Sequence, residues 1–122
     1  MTCLVTGAVQ GLGQAIAAEM AAEGANVVLI DRSAAAVTDA AAAIRATGAA
    51  AEGHALDVTN AEGYAALVQD VATRRGIDVL VNNAGINPPA RPILDDTQSD
   101  WDRTIAVNLE AVWRGPSWSH RI

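Results

Sequence analysis

Thr6-Gly7-Ala8-Val9-Gln10-Gly11-Leu12-Gly13 is the stretch that decides how this chain folds. It follows a short apolar run, Cys3-Leu4-Val5, and opens an alanine-rich segment of helical character. Three glycines between a buried strand and a helix mark a place where backbone must approach something closely. A phosphate at a helix N-terminus is the usual partner. The spacing Gly7-x-x-x-Gly11-x-Gly13 is longer than the G-x-G-x-x-G dinucleotide fingerprint, so the turn is wider. Gly7, Gln10, Gly11, Leu12 and Gly13 are therefore the candidate phosphate-side residues, and a tight turn that holds no ligand is the plainer alternative.

Outward from this turn, strand, turn, helix and glycine recur with a period of about 25 residues, the mark of consecutive βα units. The first strand is Thr2–Thr6. Its helix runs from about Gly11 to Glu23, with Leu12, Ile16 and Met20 as an apolar stripe and Gly24 after its end. Asn26–Asp31 is a continuous apolar run, expected of a parallel strand covered on both faces, and its helix spans about Ala34 to Ala46. The third strand, about Ala50–Leu56, contains Gly53 and His54 and suits a sheet edge. Thr59-Asn60-Ala61-Glu62 has capping-box spacing and starts a helix with Tyr64, Leu67, Val68 and Val71 on one face.

The fourth strand is Asp78–Asn82, followed by Asn83-Ala84-Gly85 and a proline-containing loop, Asn87–Pro92. A last helix begins near Thr97 or Ser99, and Trp101, Ile105, Asn108 and Val112 fall on its core face. From Arg114 to Ile122 the helical pattern breaks. The expected organisation is one domain over residues 1–113 and an irregular tail over residues 114–122. Right-handed crossovers in this order give a truncated, Rossmann-like, doubly wound parallel sheet with strand order 3-2-1-4. Its ligand crevice lies at the carboxyl ends of strands 1 and 4, where Gly7, Asp31, Asp57, Asn83 and Asn108 all converge.

Composition narrows the function. With 122 residues the chain can bury a core of its own, and its net charge of −6 argues against nucleic acid or an anionic membrane as the main partner. A dinucleotide remains compatible, because backbone amides bind phosphate without basic side chains. All eight basic residues are arginines. The single cysteine, Cys3, reads as a small core residue, and no residue pattern suggests a metal site. No apolar run approaches the ~20 residues of a membrane span, and Met1 leads almost directly into the first strand. A cytoplasmic protein without a signal peptide is expected.

Asp31 lies eighteen residues beyond Gly13, at the end of strand 2, where a carboxylate can accept hydrogen bonds from both ribose hydroxyls of an adenosine. A 2′-phosphate would meet that carboxylate at close range. Each such pair of unit charges at ~4 Å costs about 1 kcal/mol in water and about 4 kcal/mol at an intermediate dielectric. NAD is therefore expected over NADP. Arg32 works the other way, since a guanidinium can neutralise a 2′-phosphate, whereas Gln10 adds no second positive charge.

Taken in order, Thr6-Gly-x-x-x-Gly-x-Gly13, Asp31, Asp57-Val58, Asn82-Asn83-Ala84-Gly85 and Val107-Asn108-Leu109 resemble the N-terminal half of a short-chain dehydrogenase/reductase. That resemblance implies an NAD(P)-dependent oxidoreductase acting on an alcohol or carbonyl. Asp57 would bond the adenine amino group, with the backbone of Val58 beside it. Asn83, Ala84 and Gly85 would close the other side of the cofactor, and Asn108 would be the asparagine of the catalytic tetrad, kinking its helix and holding a water. From the residues alone, Asn108 reads equally as a buried structural amide that needs partners.

The family completes hydride transfer with a serine and a Tyr-x-x-x-Lys pair. Here the single tyrosine, Tyr64, is followed four residues on by Val68, and there is no lysine. A phenol near its ordinary pKa of ~10 with no cation beside it is a poor acid or base at neutral pH, so this chain is expected to bind cofactor without turnover. His54 and His120 read as ordinary surface histidines. A non-catalytic dinucleotide-binding or interaction module is the alternative, and the open edge of strand 4 makes a homo-oligomer an expected partner.

Overall fold

In the computed structural model, which describes residues 1–119, four parallel strands form a single sheet in the order β3-β2-β1-β4. The elements follow the chain as β1 (Thr2–Thr6), α1 (Gly11–Ala22), β2 (Asn26–Asp31), α2 (Ala34–Ala46), β3 (Ala51–Ala55), α3 (Ala61–Arg75) and β4 (Val79–Val81). A 3-10 turn (Ile93–Asp95), α4 (Gln98–Ile105), a π-helical turn (Ala106–Glu110) and α5 (Ala111–Ser119) complete it. This is the Rossmann-like arrangement expected, with β3 at one edge. The register pairs Val5 with both Leu29 and Val81, so β1 is the central axis.

Alternation along the strands builds two cores, because successive side chains point to opposite faces. Cys3, Val5, Val27 and Leu29 meet Ala17 and Ala21 of α1 and Val37 and Ala41 of α2. On the other face Leu4, Val28 and Ile30 meet Tyr64, Val68 and Val71 of α3, with Val107 and Ala111 beyond. Burial on both faces explains why β1 and β2 are apolar without interruption.

Several local expectations are corrected. In α1 the buried line is Gly13-Ala17-Ala21, one residue on from the expected stripe, and Leu12 is 70% exposed. Small residues let the helix lie close to the sheet, while Leu12 stands in the first turn at the cleft. The cap of α3 is Asn60, whose side chain accepts from Gly63 N–H at 3.0 Å; Thr59 turns back to Asp57 instead of forming a capping box.

The last helix divides. Its buried line is Val107-Ala111-Gly115, whereas Trp101 and Asn108 are exposed. The π turn accommodates an extra residue, which rotates the following side chains away from the face that a uniform helix would bury. The expected irregular tail is helical as far as Ser119; residues 120–122 lie outside the described residues. Gly115 is the reason the helix can continue there. A Cβ at Gly115 would stand 2.9 Å from both the Leu80 side chain and the Tyr64 hydroxyl, so glycine is a close-packing residue and not a stop.

Tyr64 is fully buried, and burial pushes its phenol up to about 12. Its folded value lies above the ordinary 10, so its contribution to stability is whole below about pH 10 and is lost as pH rises toward 12. That loss amounts to roughly 3 kcal/mol. Because the chain has one tyrosine, the phenolate absorbance reads the effect of this one group. Its midpoint should stand near 12 in the folded chain and return to about 10 in urea. A midpoint near 10 without denaturant would contradict the burial.

Candidate dinucleotide cleft

Thr6, the last residue of β1, is the knot of the site. Its Oγ1 accepts from the backbone N–H groups of Asn83 and Ala84, both at 3.0 Å, and lies 3.4 Å from the Val81 carbonyl to which it donates. In return the Asn83 side-chain amide donates to the carbonyls of Thr6 at 3.0 Å and Gly7 at 2.9 Å. The segment after β4 thus grips the glycine turn after β1. Gly7 has φ +62° and its N–H donates to the Ile30 carbonyl at 2.8 Å, so the turn is also tied to β2.

Gly11 and Gly13 do different work. At Gly11 the backbone is left-handed, φ +54°, and a Cβ would enter open space. At Gly13 a Cβ would collide with the Asn83 amide and the Gly7 carbonyl. Gly13 therefore sits beneath the turn, while Gly11 stands in the cleft wall.

The start of α1 has another distinguishing feature. Ser33 caps α2, Asn60 caps α3 and Thr97 caps α4, each by accepting from a backbone N–H. Gln10, the N-cap of α1, makes no such bond. The first-turn amides of α1 are left without a side-chain partner at the end of the dipole that favours an anion.

These groups border a cleft of ≈ 330 Å³ at the carboxyl ends of the strands. Gly7, Gln10, Gly11 and Leu12 line it from the turn, Asp31 and Arg32 from the end of β2, Asp57 and Val58 from beyond β3, and Asn83, Ala84 and Gly85 from beyond β4. Sequence reasoning had missed four apolar walls, Ile30, Leu56, Ile86 and Val107, and the bridging role of Thr6. A hydroxyl residue closing an otherwise apolar strand was the available signal for Thr6.

Asp31 Oδ1 accepts from Ser33 N–H at 3.2 Å, and Arg32 is exposed beside it. For Asp57, burial raises the carboxyl, but it is outweighed by the Thr59 N–H and O–H at 2.9 and 2.8 Å and by the charges of Arg32 and Arg103. The group is held below its ordinary range. Both Thr59 donors reach Oδ1, which leaves Oδ2 as the uncommitted acceptor.

Asn108 does not lie in the core. It is exposed, in the middle of the π turn, and its amide spans the backbone of Ile86 by accepting from the N–H and donating to the carbonyl, both at 2.9 Å. Tyr64 and His54 stand apart from the cleft, Tyr64 in the core and His54 on β3 with Nε2 3.5 Å from Glu52. Among the described residues no cluster of three or more His, Cys, Asp or Glu could hold a metal, and no helix is long and apolar enough to cross a membrane.

The family model for short chain dehydrogenase matches residues 1–116. The chain is 43% identical over 112 residues to the probable oxidoreductase EphD of Mycobacterium tuberculosis H37Rv, covering 91% of this chain and 19% of that protein. It is 38% identical over 109 residues to dehydrogenase/reductase SDR family member 4 of Homo sapiens, covering 88% and 39%. Among solved structures it is similar to a metagenomic short-chain oxidoreductase in complex with NADP. There the TM-score is 0.92 at 37% identity, over 97% of this chain and 54% of that one. A putative short-chain alcohol dehydrogenase from Sinorhizobium meliloti 1021 gives a TM-score of 0.89 at 35% identity, over 99% and 48%. The chain spans between 19% and 54% of the length of these relatives. Sheet order, glycine turn and family match agree, and the chain belongs to the short-chain dehydrogenase family.

Proposed function

We propose that this chain is the cofactor-binding portion of an NAD(P)-dependent oxidoreductase that interconverts an alcohol and a carbonyl, with NAD preferred. The observation that carries this reading is the uncapped start of α1, set in a cleft that also contains two carboxylates and an open glycine. The cofactor, when bound, supplies a hydride donor or acceptor. This chain's own residues do the holding: first-turn amides of α1 take the pyrophosphate, Asp31 the ribose hydroxyls, and Asp57 Oδ2, with Val58 beside it, the adenine amine. Asn83, Ala84 and Gly85 close the far side. Asn108, clamped to Ile86, fixes the helix that carries Val107 against the cleft.

NAD preference rests on the Asp31 carboxylate in the cleft wall, against which Arg32 is a single opposing cation at the ribose end. These 122 residues bind the cofactor without turnover. Tyr64, the only phenol, is buried away from the cleft with its proton held tightly, and no lysine is present to lower it. A binding module without catalysis is the second reading, favoured by the same observation. A cytoplasmic location and association of copies, through the outer edge of β4 or otherwise, belong to the proposal too.

Calorimetric titration should find NAD bound at least about tenfold more tightly than NADP. Asp31→Ala should weaken NAD and close that gap; equal losses for both dinucleotides would refute the ribose contact. NADH oxidation with simple carbonyls should stay at background, and measurable turnover would sink the inactive reading.

The two helix glycines should separate binding from folding. Gly11→Ala places a methyl in the cradle and costs only about 1 kcal/mol of backbone strain, so NAD binding should vanish while the fold persists. Gly13→Ala forces Asn83 and the turn apart and should cost on the order of 1–3 kcal/mol of stability as well. Retention of binding by Gly11→Ala would remove the phosphate from this turn.

A further inference from the structure

Residues 87–105 are attached to the rest of the molecule chiefly at their two ends. Every residue from Asn87 to Ser99 is exposed, and α4 buries none of its residues. The two buried cores that hold the sheet to its helices take no side chain from this stretch. The side-chain bonds that order it stay inside it. Arg91 reaches Asp100 at 3.1 Å, Asp96 at 3.9 Å and the Asp95 carbonyl at 3.5 Å. Thr97 accepts from Asp100 N–H at 3.1 Å, and Gln98 donates to Asp102 at 2.7 Å. Among the described residues, no side chain of the stretch bonds to a residue outside it. Its ends lie at the cleft: Ile86 before it and Val107 after it both line the wall. There the Asn108 amide accepts from Ile86 N–H and donates to the Ile86 carbonyl, both at 2.9 Å, and so clasps the two ends together.

We propose that residues 87–105 form a flap that opens as one unit when the clasp between Asn108 and Ile86 parts, and that a ligand in the cleft holds it shut. The ligand half rests on the cofactor reading given above. Opening breaks two hydrogen bonds at the surface and little apolar contact. Segments with few buried contacts and exposed hydrogen bonds open well below the free energy of global unfolding. Once released, α4 has eight residues, short of the ~12–15 that an isolated helix needs in water, so the flap melts as it opens. Parting of the clasp also frees Ile86 and Val107, and that side of the cleft loses its shape. A dinucleotide that packs against both residues binds the closed form better and shifts the equilibrium toward it.

Amide hydrogen exchange on the 122-residue chain, followed residue by residue with nuclear magnetic resonance, tests the flap. Ile86 N–H reports the clasp, and Trp101 N–H, which donates to the Thr97 carbonyl at 3.1 Å, reports α4. Both should exchange with one opening constant, protected about ten- to a hundredfold, while the β1 and β2 amides are protected far more. Asn108→Ala should speed both by about tenfold and leave the strands unchanged. Arg91→Gln touches neither Ile86 nor Asn108, and by weakening the closed flap it should still speed both, by about two- to fivefold. Unrelated rates at Ile86 and Trp101, or an Arg91→Gln that speeds Trp101 alone, would overturn the single unit. Saturating NAD should slow both amides at least about tenfold. NAD that binds by calorimetry but leaves these rates unchanged overturns the link between flap and cleft. A chain that binds no NAD defeats the cofactor reading, and the flap then stands or falls on the rates of the free chain and its variants.

Discussion

A single hydroxyl, Thr6 Oγ1, joins the end of β1 to the end of β4 and the segment after it, and the geometry of the cleft depends on it. Two backbone N–H groups from the segment after β4 converge on it, and the Asn83 side chain returns two hydrogen bonds to the strand end and the glycine turn. Parallel strands end with their carbonyls and amides unmatched, and a buried unmatched group costs about 1–3 kcal/mol. Thr6 and Asn83 satisfy each other's strand ends. In doing so they fix the spacing between β1 and β4, the gap that forms the ligand crevice of a doubly wound sheet.

Close packing of small residues carries that geometry outward. Gly13, Ala17 and Ala21 bring α1 down on one face of the sheet; Val107, Ala111 and Gly115 bring the last helix close on the other. With so little side chain between helix and sheet, the start of α1 comes directly under Asn83, and its free amides are delivered to the cleft. The chain lacks phenylalanine altogether, and alanine-faced helices are the way a core is filled without large aromatic spacers.

The charges divide by place. Paired arginines and carboxylates on the exposed surface, such as Arg74 with Asp70 and Glu52, are ordinary solvated ion pairs of small net worth. The cleft instead contains two acids, Asp31 and Asp57, that receive hydrogen bonds from Ser33 and Thr59 and form no ion pair. Such an arrangement keeps acceptors available for a ligand. The one phenol of the chain is spent in the core between α3 and α5, where it packs and does not exchange protons near neutrality.

Strand order and the helices α1 to α3 were legible in the sequence, because their periodicity is local and handed crossovers leave one arrangement. The glycine turn, Asp31, Asp57 and Asn83 were legible too, since each lies just beyond a strand end. The apolar face of a helix was less so. Leu12 and Trp101 look like core residues by spacing, yet the sheet takes Gly13 next to Leu12, α4 buries none of its residues, and a π turn at Asn108 shifts the register in a way that no i, i+4 count reveals. Gly115 and Pro116 read as a stop, but the pocket between Tyr64 and Leu80 makes a place for glycine in a continuing helix. The sequence by itself determined what the chain repeats and where its turns fall. Only the tertiary structure decided which side chains meet, because Thr6 with Asn83, and Asn108 with Ile86, are brought together by packing and not by spacing along the chain.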